Sequence, residues 1–327
     1  MAKKNKIIDI RKNDLHTIVR ETIDRLLFEK MSINDEVLEA TDYFVNKITQ
    51  TYESKKNGMW GWQQFNIALM VTELPSLSFH LKNDYENERF SIIKNISCFF
   101  YNFNNVDELN YASQFLPSCS FLENGTLIIT IKCLNKEIVD KSFRESLSHE
   151  LNHVYQEFNK NFNTGKRYDL ASKIVSKLGK YTETEQCLAW IIYYFSKREI
   201  DSRVYELYNQ LKESEIKNIS DINNLKLFQE RQRFYDQVVF YFRCNMLYLN
   251  EKNEKAFNEF DTNPNKVNQY IMRMDKYQND KIRRVVQRHF DELNEDIFMC
   301  RDIHAIFNGY CDKMEKKNTK LNEDNQK

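Results

Sequence analysis

Over residues 137–158 the apolar side chains Phe143, Leu147, Leu151, Val154 and Phe158 recur at the three- and four-residue intervals that line one face of an α-helix. Such a stripe has to be buried against another element, so the segment becomes a packing centre. His149 and His153 stand four residues apart and project from nearly the opposite side. Two ordinary core histidines would lie on the stripe, whereas these face whatever covers the far side, and a cleft is the natural candidate. Glu150 completes the run His149-Glu150-Leu151-Asn152-His153. On one helical face both imidazoles can reach a single metal ion while the carboxylate stands beside it.

Just upstream, Asn124-Gly125 reads as a turn, and residues 126–133 are β-branched and apolar, hence a strand. A strand leading into an HExxH helix resembles the zincin metallopeptidases. Over residues 126–211 the chain is similar to the gluzincin type, in which two histidines and a downstream glutamate hold zinc. It departs from the metzincin pattern, because Gln156 and Asn159 stand where that family places a glycine and a third histidine.

A catalytic zinc takes three protein ligands and leaves one position for water. After His153 the only histidines are His289 and His304, far down the chain, which favours a carboxylate as the third ligand. Residues 183–211 read as one long helix or two abutting ones, with Leu188, Ile192 and Phe195 along a stripe that Glu199 continues. A carboxylate in line with large apolar side chains is costly to bury alone, and either a bound cation or Arg203, one turn on, removes that cost. Glu185 lies on the same stripe, and Asp201 and Glu206 are further candidates. The string Arg198-Glu199-Ile200-Asp201-Ser202-Arg203 is similar to the glutamate-bearing helix of gluzincins, and that resemblance favours Glu199.

The resemblance implies one zinc ion bound by His149, His153 and Glu199, a water activated by it, and Glu150 as general base and proton carrier in peptide hydrolysis. Arg203, or a tyrosine such as Tyr194, is expected to stabilise the oxyanion. The strand at residues 127–131 is expected to hold an extended peptide or protein substrate by edge pairing. The competing reading is a non-enzymatic helical protein, a phage-particle component or adaptor, that keeps a relic HExxH.

The rest of the chain narrows the partners. It has 48 basic and 48 acidic residues, so no global field draws it to nucleic acid or to an anionic membrane. The cluster Lys281, Arg283, Arg284 and Arg288 reads as a solvated helix face, with Ile282, Val285, Val286, Phe290 and Leu293 turned inward. Seven cysteines form no CxxC pair, which suits a reducing compartment. Neither a signal peptide nor a membrane span is legible, so a cytoplasmic location, or a virion if the chain is phage-encoded, is expected. Six glycines and three prolines argue for helices with few tight turns, and there is no nucleotide-binding loop or nucleophile elbow.

These features predict a helix-dominated α+β fold in which a small antiparallel sheet packs on the HExxH helix. N-terminal helices are expected over residues 1–55, a zincin-like catalytic region over 56–215, a helical region over 216–311 and a disordered tail over 312–327. Helices are expected at 13–27 and after a cap at Asn34, and an aromatic-rich helix at 228–247. Shorter helices are expected at 265–274 and 280–307. Half-buried strands are expected at 77–82 and 90–103, the latter broken near Lys94 and Asn95. His80 falls on the polar side of its strand. The stretch at residues 10–21 resembles an N-terminal segment shared by proteins of tailed phages that infect gut Bacteroidales, which would imply a docking leader.

Overall fold

A computed structural model describes residues 33–293 apart from 58–62, 67–72, 113–118, 141, 160–164, 178–179, 217–218 and 246–250. The expected first helix with its phage-like segment, the region of Trp60 and Trp62, His304 and the polar tail lie outside the described residues.

The first described helix, α1 (Asp35–Lys55), starts where Asn34 accepts a hydrogen bond from the Glu36 backbone N–H at 2.9 Å, with acidic Asp35 and Glu36 in its first turn. Its buried side, Val37, Ala40, Phe44, Val45, Ile48 and Tyr52, joins the main core. Next come the strands β1 (Gln63–Asn66), β2 (Glu73–Lys82) and β3 (Asn95–Phe103), and the short helix α2 (Val106–Ala112). Strands β4 (Cys119–Phe121), β5 (Thr126–Leu134) and β6 (Glu137–Ile138) follow. The order is β1-β2-β3-β5-β4, with β6 also paired to β5.

The helix-dominated α+β class is as the sequence indicates, but the sheet is mixed where an antiparallel one was expected. Strands β3 and β5 run parallel, Asn95 opposite Thr126 through Phe103 opposite Leu134. Residues 104–125, including α2 and β4, give the chain enough length to cross back and start β5 in the same direction. Strand β5 is thereby enclosed, by β3 on one side and by β4 and β6 on the other. Residues 127–131 therefore do not form the free edge expected for substrate; β4 does.

Helix α3 (Phe143–Phe158) begins later than residue 137, because Asn135 and Lys136 take positive φ values of 50° and 69° and fold Glu137 and Ile138 back onto β5. Its stripe is buried as expected at Phe143, Leu147, Leu151 and Val154, against the sheet and α1. Each fully buried aliphatic side chain there contributes about 1.5–3 kcal/mol relative to exposure.

The remaining helices are α4 (Gly165–Val175), α5 (Glu183–Tyr194), α6 (Lys197–Glu213), α7 (Lys226–Phe234), α8 (Phe240–Asn245), α9 (Glu251–Glu259) and α10 (Pro264–Glu292). A π-helical turn, Tyr235–Val239, joins α7 to α8, so the aromatic-rich helix is continuous through it. Most of these helices enclose a second apolar core containing Leu188, Ile192, Phe195, Phe234 and Phe260. Residues 183–213 are two abutting helices, broken at Ser196, whose hydroxyl accepts from the Glu199 N–H at 3.2 Å.

Helix α10 is one helix where two shorter ones were expected. The polar interval that interrupted its apolar pattern is satisfied internally: Arg231 donates to Asp275 and Asn279, and Tyr277 donates to Asp201 at 2.7 Å. Its basic residues are largely paired, Lys281 with Asp201 and Arg288 with Asp35 and Glu292. Leu293, expected inward, is exposed. His289 is structural, its Nε2 lying 2.9 Å from the Ile216 carbonyl. None of the described helices is long and apolar enough to cross a membrane.

The turn into β5 depends on Gly125, at φ +84°, where a Cβ would come within 2.7 Å of the Ile92 carbonyl oxygen. Backbone has to move to admit it. Gly125→Ala is expected to lose about 1–3 kcal/mol, read as a lower denaturant midpoint with an unchanged m value.

Candidate metal centre

Helices α3 and α6 pack side by side and meet along a seam of polar residues, which α3 presents from the face away from the sheet. Asn209 donates to Ser148 Oγ at 2.9 Å, Asn152 donates to Ser202 Oγ at 2.9 Å, and Gln210 donates to Glu145 Oε2 at 2.8 Å. Ser148, Asn152, Ser202, Asn209 and Gln210 are all buried. Each partner is satisfied by the other helix, so the seam fixes their register and not merely their proximity.

That register brings His149 and His153 of α3 against Glu199 of α6. The two Nε2 atoms are 2.9 Å apart; His149 Nε2 is 3.4 Å from Glu199 Oε2, and His153 Nε2 is 3.5 Å from Glu199 Oε1. All three donors fit within 4.8 Å of one another. Ligands placed tetrahedrally about zinc at 2.0–2.1 Å stand roughly 3.3 Å apart, so two nitrogens and one carboxylate oxygen suit the ion in both spacing and chemistry.

The electrostatics favour a cation at the same point. Burial alone would lower the His149 pKa, yet the carboxylates of Glu206 and Glu199 outweigh it and push it up to about 10. Burial and the charge on His149 together push His153 down to about 3. Glu199 is 1% exposed, and although burial opposes ionisation, the two histidines and Arg203 hold it well below the usual carboxylate range.

Surrounding groups orient the donors. The Glu206 carboxylate lies 2.6 Å from His149 Nδ1, close in distance though not aligned as a hydrogen bond. Around His153 Nδ1 stand Ser202 Oγ at 3.1 Å, Gln156 Oε1 at 3.3 Å and Arg198 Nε, which donates to it at 3.2 Å, and together they hold the ring with Nε2 turned to the other donors. Tyr168 of α4 donates to Glu199 Oε1 at 2.6 Å. Glu150 is half-buried and faces the backbone of Phe121 on β4. Burial, with Glu199 adding to it and His149 opposing, raises its pKa above the ordinary carboxylate value.

The structure separates the candidate carboxylates. Glu185 caps α5, its side chain bonded to the Thr182 N–H at 2.7 Å, so it is spent at a helix terminus. Asp201 is bound by Tyr277 and Lys281, and Glu206 stands behind His149. Only Glu199 joins the two histidines. Arg203 turns to Glu199 at 3.8 Å and donates to the Tyr194 carbonyl at 2.7 Å, with its guanidinium 4.0 Å from the centroid of the Tyr194 ring. Tyr194 itself is buried and stacked on Phe234. Arg203, the residue expected to stabilise the oxyanion, thus stands beside Glu199 with Tyr194 behind it. His80 is exposed and lies 2.6 Å from Ser97 Oγ, remote from these helices in the sheet.

Sequence reasoning missed Tyr168 and the seam. Tyr168 lies on a helix with a broken apolar pattern and carries no motif. Ser148, Asn152 and Gln156 do repeat at four-residue intervals, a signal available beside the histidines.

No family model matches the chain, and neither a curated protein nor a solved structure shows detectable similarity to it.

Two measurements follow from this geometry. Glu199→Gln should reduce zinc retained after dialysis to a small fraction of wild type, whereas Glu185→Gln should leave it unchanged, read by elemental analysis. Glu145 provides a pH test: burial pushes its carboxyl up to about 7 against the Gln210 hydrogen bond. The folded state then binds the proton more tightly than the unfolded one, so stability present below about pH 4.5 is lost as the pH rises through about 7. Glu145→Gln keeps the acceptor for Gln210, and should raise stability at pH 8 by on the order of 1–3 kcal/mol while changing little at pH 4.

Proposed function

We propose that this protein is a zinc-dependent peptidase of gluzincin type, with His149, His153 and Glu199 as the metal ligands. The observation that supports it most is the convergence of three donor atoms from two helices within 4.8 Å, with the Glu150 carboxylate on the adjacent residue.

His149, His153 and Glu199 would hold the ion, which would supply Lewis acidity and lower the pKa of a water towards neutrality. Glu150, already raised by burial, takes the proton from the water that attacks the peptide carbonyl. The C–O bond forms as the carbonyl π bond opens, and the C–N bond then breaks as Glu150 delivers the proton to the departing amine. Glu199 is held by Tyr168 and Arg203, so its carboxylate keeps one orientation through the cycle. Strand β4 ends the described sheet and touches α3, with the Phe121 backbone beside Glu150, and it is the strand with which an extended peptide would pair. The five described cysteines are unpaired, which fits work in a reducing compartment.

Protein purified without a histidine tag should carry about one zinc per chain, lose it to a chelator and lose thermal stability with it. Glu150→Gln should retain zinc and lower hydrolysis of a denatured protein by about 100- to 10,000-fold. Metal-free protein whose melting temperature does not respond to zinc overturns the reading in favour of a non-enzymatic helical protein.

A further inference from the structure

Arg198 immediately precedes Glu199, and its side chain lies over the same centre. Its Nε donates to His153 Nδ1 at 3.2 Å, and its guanidinium carbon is 5.8 Å from the centroid of the Tyr168 ring. Several other buried or half-buried arginines of this protein have a carboxylate, among them Arg89 with Glu36, Arg144 with Asp42, Arg203 with Glu199 and Arg231 with Asp275. Among the described residues none stands within ion-pair distance of Arg198. Its bond to His153 uses Nε alone, and no hydrogen bond is formed by its terminal nitrogens to a described residue.

The result is a half-buried guanidinium with its terminal nitrogens uncommitted, one imidazole ring and one hydrogen bond from the point where the donors converge. A planar fork of this kind binds a carboxylate through two parallel hydrogen bonds, and an aromatic face beside it restricts the plane in which it does so. Full neutralisation inside the protein would make Arg198 a structural residue; without it, the guanidinium is available to an anion from outside.

We infer that Arg198 is a specificity-determining residue that receives a carboxylate of the substrate close to the bond being cleaved. The inference rests on the peptidase reading and names the substrate class for that site. An extended chain advances about 3.3–3.6 Å per residue, so the carboxylate belongs within about two residues of the scissile bond. Either a free C-terminus or an Asp or Glu side chain supplies the same group.

The test measures binding by calorimetry on zinc-loaded, full-length Glu150→Gln protein. A short neutral peptide is compared as its C-terminal acid and its amide, and with Glu replacing Gln at each position in turn. At least one carboxylate form should bind about 10- to 100-fold tighter than its neutral counterpart. Arg198→Ala in the same background should abolish that difference, and Arg198→Lys should restore part of it. Preference for the acid over the amide assigns the C-terminus, and preference for Glu over Gln assigns a side chain. Equal affinities throughout, no binding by any peptide, or a preference that survives Arg198→Ala each overturns the inference. Zinc content is measured on every variant, so loss of metal is not mistaken for loss of substrate. The peptidase reading is judged apart, on hydrolysis of a denatured protein by the wild-type chain.

Discussion

Two helices that bury polar side chains against one another are expensive to misalign. Sliding α3 by one turn along α6 would leave Ser148, Asn152, Ser202, Asn209 and Gln210 facing unmatched or apolar neighbours, each at a desolvation cost of about 1–3 kcal/mol. The seam is thus a register device. The convergence of His149, His153 and Glu199 is a consequence of it, since Glu199 lies 50 residues beyond His149 in the chain and has no local reason to approach the histidines. The apolar stripe of α3 supplies adhesion to the sheet, but greasy contact alone would tolerate several settings of the opposite face.

The sheet contributes direction. Because β5 is enclosed by β3, β4 and β6, the chain leaves it through the tight turn at Asn135 and Lys136 and enters α3 on one side of the sheet. This places Glu150 beside β4, the short edge strand, and puts the histidines on the solvent side of α3, where α6 covers them. The Glu150 carboxylate sits at the boundary between these two layers. Its raised pKa follows from burial beside Glu199, and not from any feature of the residues next to it in sequence.

The parts of this arrangement that were legible in the sequence are those set by periodicity. The stripe of α3, the Asn34 cap, strands β2 and β5 and the aromatic helix through Tyr235 all follow from local spacing. Glu199 was legible only as one of several carboxylates, because Glu185 and Glu199 differ in tertiary partners and not in pattern. Glu185 is a helix cap, a role that Thr182 three residues earlier does announce. Strand direction was not legible, since a parallel and an antiparallel partner bury the same alternating side chains. The extent of α10 was hidden for a related reason: its polar middle looks like a break until Arg231, 44 residues away, supplies the partner.

The first turn of α6, just past the break at Ser196, separates two territories. Leu188, Ile192, Phe195 and Ile200 belong to the second core; Val204, Leu207 and Leu211 belong to the first. Glu199 stands at that frontier, and its companions are drawn from both sides, Tyr168 from one and the histidines from the other. Shear between the two cores therefore bears directly on this carboxylate, as it does on the Asp201 and Arg203 contacts within about one turn of it, so that the site is strained before either core is.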